Sequence, residues 1–136
     1  MAIFGFILLV VLLTGLSISM KWGKSKKKYM WEILVPASSK EQEFSYEHHK
    51  KWDEYVKSLA GGLTILKTAK GEWINPNGIS IADRVIPVRI RCKKKHIKKI
   101  INFTLSHYNQ QAVLAYRVSD KVIVKYNAEK YLEKLL

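Results

Sequence analysis

Polar and apolar side chains alternate along residues 29–37, YMWEILVPA. Met30, Glu32 and Leu34 fall on one side and Trp31, Ile33 and Val35 on the other. A period of two predicts a strand with two unlike faces, and Pro36 ends it. After a polar loop over 38–44 the period changes. Trp52, Val56 and Leu59 recur at i, i+4 and i+7, which predicts an amphipathic helix over 45–60. Ser45 is its N-cap, with His48 where a capping box carries Glu, and the pair Gly61–Gly62 stops it. LTILKT, 63–68, reads as a short strand. Residues 69–80 read as a loop with a turn at Asn77–Gly78. RVIPVRIRC, 84–92, alternates again, and Pro87 is expected near the start of that strand. Over 94–109 Ile97, Ile100, Ile101, Leu105 and Tyr108 form a second helical stripe, opposite the wet positions Lys95, Lys98, Lys99 and Asn102. A fourth strand is expected over 112–119, an extended KVIVKY over 121–126 and a short helix from 128 to 136.

The order β-α-β-β-α-β with right-handed crossovers predicts an α+β domain over residues 29–136. Its architecture is a ferredoxin-like βαββαβ antiparallel sheet with two helices on one face. The uncovered face, with Trp31 among its expected residues, calls for self-association, and a sheet-to-sheet homotrimer is the expected form.

Residues 2–20 carry no charge, and Lys21, Lys24, Lys26, Lys27 and Lys28 follow. Nineteen residues as a helix span about 28 Å, close to the ~30 Å hydrocarbon core of a bilayer. The start has no basic residue and the apolar run is longer than a cleaved leader needs, while Ser17 and Ser19 imitate a cleavage site and keep a cleaved leader as the alternative. The expectation is a transmembrane anchor at 1–20, a lysine-rich juxtamembrane linker at 21–28, and a single-pass membrane protein whose C-terminal domain is cytoplasmic. The formal net charge is +13, all of it after residue 20. Two classes of partner fit such a basic domain: an anionic lipid surface, or a negatively charged ligand such as a nucleotide. Nucleic acid ranks last, because the sheet lacks the paired exposed aromatics of an RNA-binding surface. The lone Cys92 excludes an intrachain disulfide and reads as a small buried hydrophobe.

No metal-ligand spacing, phosphate loop or nucleophile elbow occurs, and no metal or cofactor is expected. His48 and His49 are adjacent, point about 100° apart on a helix, and cannot share an ion. The 69–84 segment is different, for it crowds Glu72, Trp73, Asn75, Asp83 and Arg84 between two strands. An indole face holds a sulfonium or ammonium by cation–π attraction of about 2 kcal/mol when desolvated. Glu72 and Asp83 add Coulomb attraction, so the segment suits a positively charged small ligand; the alternative is that Trp73 plugs the sheet edge and Asp83 caps a turn. Gln110 and Gln111 follow the second helix, within reach of a ligand or of the helix end. Tyr116 and Arg117 must lie on opposite faces of their strand.

VRIRCKKK at 88–95, then a helix, then NQQAVLAY at 109–116, resembles the bacteriophage S-adenosylmethionine lyases. The likeness runs over roughly residues 31–118 and is tighter after 84. It implies a ferredoxin-like trimer with sites between subunits. It implies cleavage of S-adenosylmethionine to methylthioadenosine and homoserine lactone, with no cofactor, metal or protein nucleophile. By motif Trp73 stands where the family has a tyrosine, and Asp83 is the acid nearest the family's glutamate. These two are the implied catalytic residues, with Glu72, Arg84, Gln110, Gln111 and Tyr116 as substrate-binding residues. The basic charge extends the expectation to adenylylated S-adenosylmethionine, a nucleotide-like signal of some CRISPR defence systems. The rival expectation is a non-catalytic, membrane-anchored oligomeric binding or assembly module.

Overall fold

The computed structural model describes residues 27–39 and 43–134. Strand β1 (Tyr29–Pro36) is followed by helix α1 (Tyr46–Ala60), two short strands β2 (Thr64–Ile65) and β3 (Ala69–Ile74), and the long strand β4 (Ser80–Cys92). Helix α2 (Lys94–His107), strand β5 (Ala115–Ser119) and the short helix α3 (Ala128–Glu133) complete the chain. All pairings are antiparallel. The order across the sheet is β2-β4-β1-β5, with β3 also pairing β4. This is the expected ferredoxin-like sheet, its second strand split in two.

The split has a local cause. Residues 69–74, expected as loop, pair with Ser80–Val85, whereas Thr64–Ile65 pair with Val88 and Arg89. Pro87 lies between these two stretches, mid-strand rather than at a strand start. Leu66 N donates to Pro87 O across 2.9 Å. A strand residue points its N–H and C=O to the same side, so the missing proline donor falls in the break at 66–68. Polar spacing hid β3 because both its faces are half-wet. Other boundaries shift by a few residues: the strand expected at 112 begins at Ala115, and α2 ends at His107. Residues 121–126 pair with no strand.

One sheet face meets α1 and α2. Ile33, Val35, Val88, Ile90 and Cys92 pack there against Trp52, Val56, Ile97, Ile100 and Tyr108. Trp52 Nε1 donates to Thr104 Oγ1 at 2.8 Å, and that hydroxyl donates on to Ile100 O at 2.7 Å, so neither buried polar group is orphaned. Ser45 Oγ accepts from His48 N at 3.1 Å, and Gly61 takes the left-handed conformation at φ 83° that ends α1. Trp31 shares its parity with Ile33 and packs against this core, donating from Nε1 to Cys92 O at 3.2 Å. It is therefore not part of the uncovered face. Burial raises the Cys92 thiol to about 11, which keeps it protonated and inert.

The expectation of a membrane-spanning chain is corrected here. No helix among the described residues is long and apolar enough to cross a membrane. The segments on which that reading and the membrane localisation rested, 2–20 and most of the 21–28 linker, lie outside the described residues, as do 135–136 of the terminal helix.

Candidate functional site

The opposite parity of the same strands builds the open face. Register places Pro36 beside Val85, Leu34 beside Pro87, and Glu32 between Arg89 and Tyr116. Farther along β4, Asp83 pairs with Gly71 and Ile81 with Trp73. Trp73 and Asp83 are thus diagonal neighbours on one face, and Trp73 Nε1 donates to Asp83 Oδ2 at 3.0 Å. Opposite Asp83 stands Gly71, which puts no side chain between the carboxylate and the indole.

A cavity of about 360 Å³ opens on this face. Leu34, Pro36 and Val85 form its floor, Val113 and Leu114 one wall, and Glu72, Trp73, Asp83 and Gln110 its polar rim. Three sequence-selected side chains therefore converge, Trp73, Asp83 and Gln110, whereas Glu72 borders the cavity but has the opposite parity to Trp73, and its carboxylate pairs with Lys70 Nζ at 2.8 Å. The chain enters the wall through a left-handed Asn109 at φ 50°. Gln110 N donates to Leu105 O at 2.9 Å and its amide Nε2 to Tyr108 O at 3.0 Å, which holds the side chain beside the end of α2. Asn75, grouped with these residues in the sequence, has a structural role. Its Oδ1 accepts from Asn77 N and Ile79 N, both at 3.0 Å, and so closes the β3–β4 turn.

Three selected residues lie elsewhere. Gln111 is exposed and outside the cavity lining. Arg84 projects from the other face of β4, 3.8 Å from Glu43, and with Lys70, Ser38 and Ser39 lines a smaller opening of about 230 Å³ that also touches Asp83. Tyr116 lies on the open face but one row past the cavity, where its hydroxyl donates to Glu32. Arg89 Nε donates to the other oxygen of that carboxylate at 2.9 Å. The Tyr116 hydroxyl, and then Arg89, hold the Glu32 carboxyl below its ordinary range, and the carboxylate in turn raises the Tyr116 phenol. Sequence reading missed Glu32 and Arg89, although their matching parity in β1 and β4 was a usable signal.

The four histidines make no metal site, and no group of three metal-ligating side chains occurs among the described residues. His48 and His107 stack with ring centres 3.9 Å apart, each ring nitrogen Nε2 bonded to the other's backbone carbonyl, at 2.8 and 2.7 Å. His49 Nδ1 meets the Tyr108 hydroxyl at 2.7 Å. These contacts tie α1 to the end of α2, behind the loop that carries Gln110.

Chemically, the cavity offers an apolar floor, an aromatic face and one carboxylate with a free oxygen. That set suits a cation with an apolar body.

No protein-family model matches the chain, and no curated protein matches it. Solved structures do. A phage S-adenosylmethionine lyase in complex with S-methyl-5'-thioadenosine aligns with a TM-score of 0.56 at 10% identity, over 75% of this chain and 88% of that one. The divalent cation tolerance protein CutA1 of Thermus thermophilus aligns at 0.50 and 12% identity, over 78% and 92%. CutA1 of Oryza sativa aligns at 0.50 and 15%, over 78% and 87%. At these identities the likeness establishes a shared ferredoxin-like fold.

Proposed function

We propose that the chain is a lyase that cleaves S-adenosylmethionine, or its adenylylated derivative, within an oligomer. The carboxylate of the bound substrate attacks its own γ-carbon. A C–O bond forms, the C–S bond breaks, and its electron pair neutralises the sulfonium, which leaves as a methylthioadenosine-type thioether beside homoserine lactone. The substrate supplies both nucleophile and leaving group, so the protein's work is to hold the reacting ends together.

One observation carries this reading: the Trp73–Asp83 pair, joined by a 3.0 Å hydrogen bond at the rim of an apolar cavity. Trp73 presents a π face to the sulfonium, Asp83 balances its charge, and Gln110 supplies a polar contact. The fold shared with a phage S-adenosylmethionine lyase supports the same reading. The cationic Lys70 and Arg84 beside the second opening support the adenylylated variant, whose phosphate needs a positive neighbour. The cavity is open toward solvent on the uncovered sheet face, so we place the complete site between copies, in a homotrimer.

The test incubates the full chain with each substrate and follows thioether release by chromatography. Release that falls in Asp83→Asn supports the lyase. No product from either substrate overturns it and leaves a non-catalytic oligomeric binding module.

A further inference from the structure

The open sheet face carries charge of opposite sign at its two ends. At one end Asp83 bonds the Trp73 indole through a single carboxylate oxygen. Farther along β4, at the same parity, stands Arg91, opposite Met30 of β1. Between them Arg89 is neutralised by Glu32 at 2.9 Å. Arg91 belongs to no ion pair of the described residues, and its Nε is buried without a hydrogen-bond partner. A guanidinium in that condition costs free energy, which a carboxylate restores once the side chain turns to meet it.

The cavity has the converse gap. The substrate read into it carries a cationic sulfur and an anionic carboxylate, and the lining offers no cation for the carboxylate. Lys70 and Arg84 project from the other face, where Glu72 engages one at 2.8 Å and Glu43 lies 3.8 Å from the other. Arg91 of the same protomer cannot fill the gap, because the stretch of β4 between it and Asp83 is about 27 Å long. An arginine side chain reaches only a fraction of that distance. The cation must come from another molecule. A face acidic at one end and basic at the other is complementary to a second copy of itself set end to end, and a contact of that heterologous kind closes into a ring.

We propose that Arg91 of one copy lies across the interface from the Trp73–Asp83 cavity of the next copy, pairs there with the second oxygen of Asp83, and on substrate binding receives the substrate carboxylate. The substrate enters this ion pair with its sulfonium toward Asp83 and its carboxylate toward the guanidinium, so each member of the pair exchanges one partner for another. The guanidinium holds one carboxylate oxygen and leaves the other to attack the γ-carbon. This rests on the lyase reading and on the site lying between copies, and it names the residue that the neighbour contributes.

The experiment has two arms on the full chain, with mass from light scattering measured alongside. In the first, a zero-length carbodiimide is applied to Arg91→Lys, which keeps the charge. It joins position 91 to Asp83 in a covalent dimer, seen by peptide mass spectrometry, and gives no such product when Asp83→Asn is added. In the second, Arg91→Gln lowers thioether release by about tenfold or more. Co-expressed with Asp83→Asn it recovers to roughly a quarter of the wild-type rate, because random pairing sets an intact Asp83 opposite an intact Arg91 at about one interface in four. The coupling arm needs no turnover, so it decides the contact even if Arg91→Gln fails to fold. An oligomer without the coupled dimer overturns the contact alone. A hybrid no more active than its parents overturns the role of Arg91 toward the substrate. A monomer at every concentration overturns both the contact and the assembly. A coupled oligomer whose wild type releases no thioether overturns the lyase and leaves the contact standing.

Discussion

The two faces of the sheet are made by the same strands at opposite parity, and they differ in nearly every physical respect. Toward α1 and α2 the strands present Ile33, Val35, Val88 and Ile90, all at most 2% exposed. Away from the helices they present Glu32, Leu34, Pro36, Asp83 and Arg89 around an open cavity and an ion cluster. One face is closed by the chain's own helices. The other keeps carboxylates, a guanidinium and an indole where a ligand or a neighbour can reach them. A two-residue period thus writes a core and a site into one strand, and a one-residue slip would exchange them.

The largest expected effect lies on the closed face. Trp52→Ala removes a fully buried indole and its bond to Thr104, and should cost about 3–5 kcal/mol of unfolding free energy in urea titration. Leu34→Ala on the open face should cost less than about 2 kcal/mol, because its side chain borders space already empty. Equal losses would mean that the open face is packed, and the contrast between faces would fail.

Next in size is the rim of the cavity. Trp73→Ala forfeits a cation–π contact worth about 2 kcal/mol, so a sulfonium nucleoside should bind about 30-fold more weakly by calorimetry. Asp83→Asn keeps the volume and can still accept from the indole, yet it should lower turnover about 10²-fold. Its melting temperature should stay close to wild type. A variant that loses stability but keeps turnover would make this pair a structural edge clip rather than a site.

The same contrast explains what could be read from the residues. Both helices, β1 and the body of β4 were legible because one side of each is strictly apolar. Trp73, Asp83 and Glu72 were recognisable as chemistry without partners, because an indole and two carboxylates crowd the short segment 69–84, whereas Gln110 joins Trp73 and Asp83 only through the fold. β3 was not legible, since neither of its faces is buried and its alternation is polar on both sides. The Pro87 break, the Glu32–Arg89–Tyr116 cluster and the displacement of Arg84 to the other face all depend on register, which pairs residues 57 and 84 positions apart. No local pattern encodes such pairings. The membrane expectation rested on residues 2–20, which lie outside the described residues, and no helix among the described ones is long and apolar enough to cross a membrane.

A smaller effect tests the ion cluster. Folded Glu32 releases its proton more readily than an ordinary glutamate of 4.5, chiefly because of the Tyr116 hydroxyl and then Arg89. The folded state therefore binds fewer protons than the unfolded one as pH falls through 4.5. The stability this supplies is complete above that value and is lost as pH drops toward the lower folded value. Tyr116→Phe should lower the melting temperature at pH 7 and converge with wild type in stronger acid. Parallel curves at all pH values would mean that the hydroxyl bond does not favour the carboxylate.

The smallest effect distinguishes the helix side from the open side by the pH at which each loosens. Burial lowers the His49 imidazole below its ordinary 6.5, opposed in part by the nearby Asp53 and the Ala37 backbone. The charges of His48 and His107 push the same way as burial. Unfolded His49 takes up a proton near 6.5 while the folded ring resists it, so its stabilising contribution is complete above 6.5 and declines as pH falls below that value. One proton allows at most about 1.4 kcal/mol per pH unit, and this half-exposed, screened ring should give well under half of that. His49→Gln should flatten the slope of unfolding free energy between pH 7 and 5 and leave the Glu32 transition at lower pH untouched. Because His49 bonds Tyr108, just before the Gln110 loop, amide exchange at 109–114 should also quicken below pH 6.5 in the wild type and not in the variant. A slope unaltered by the substitution would leave the contact between α1 and the end of α2 indifferent to protons, and acid sensitivity would then belong to the open face alone.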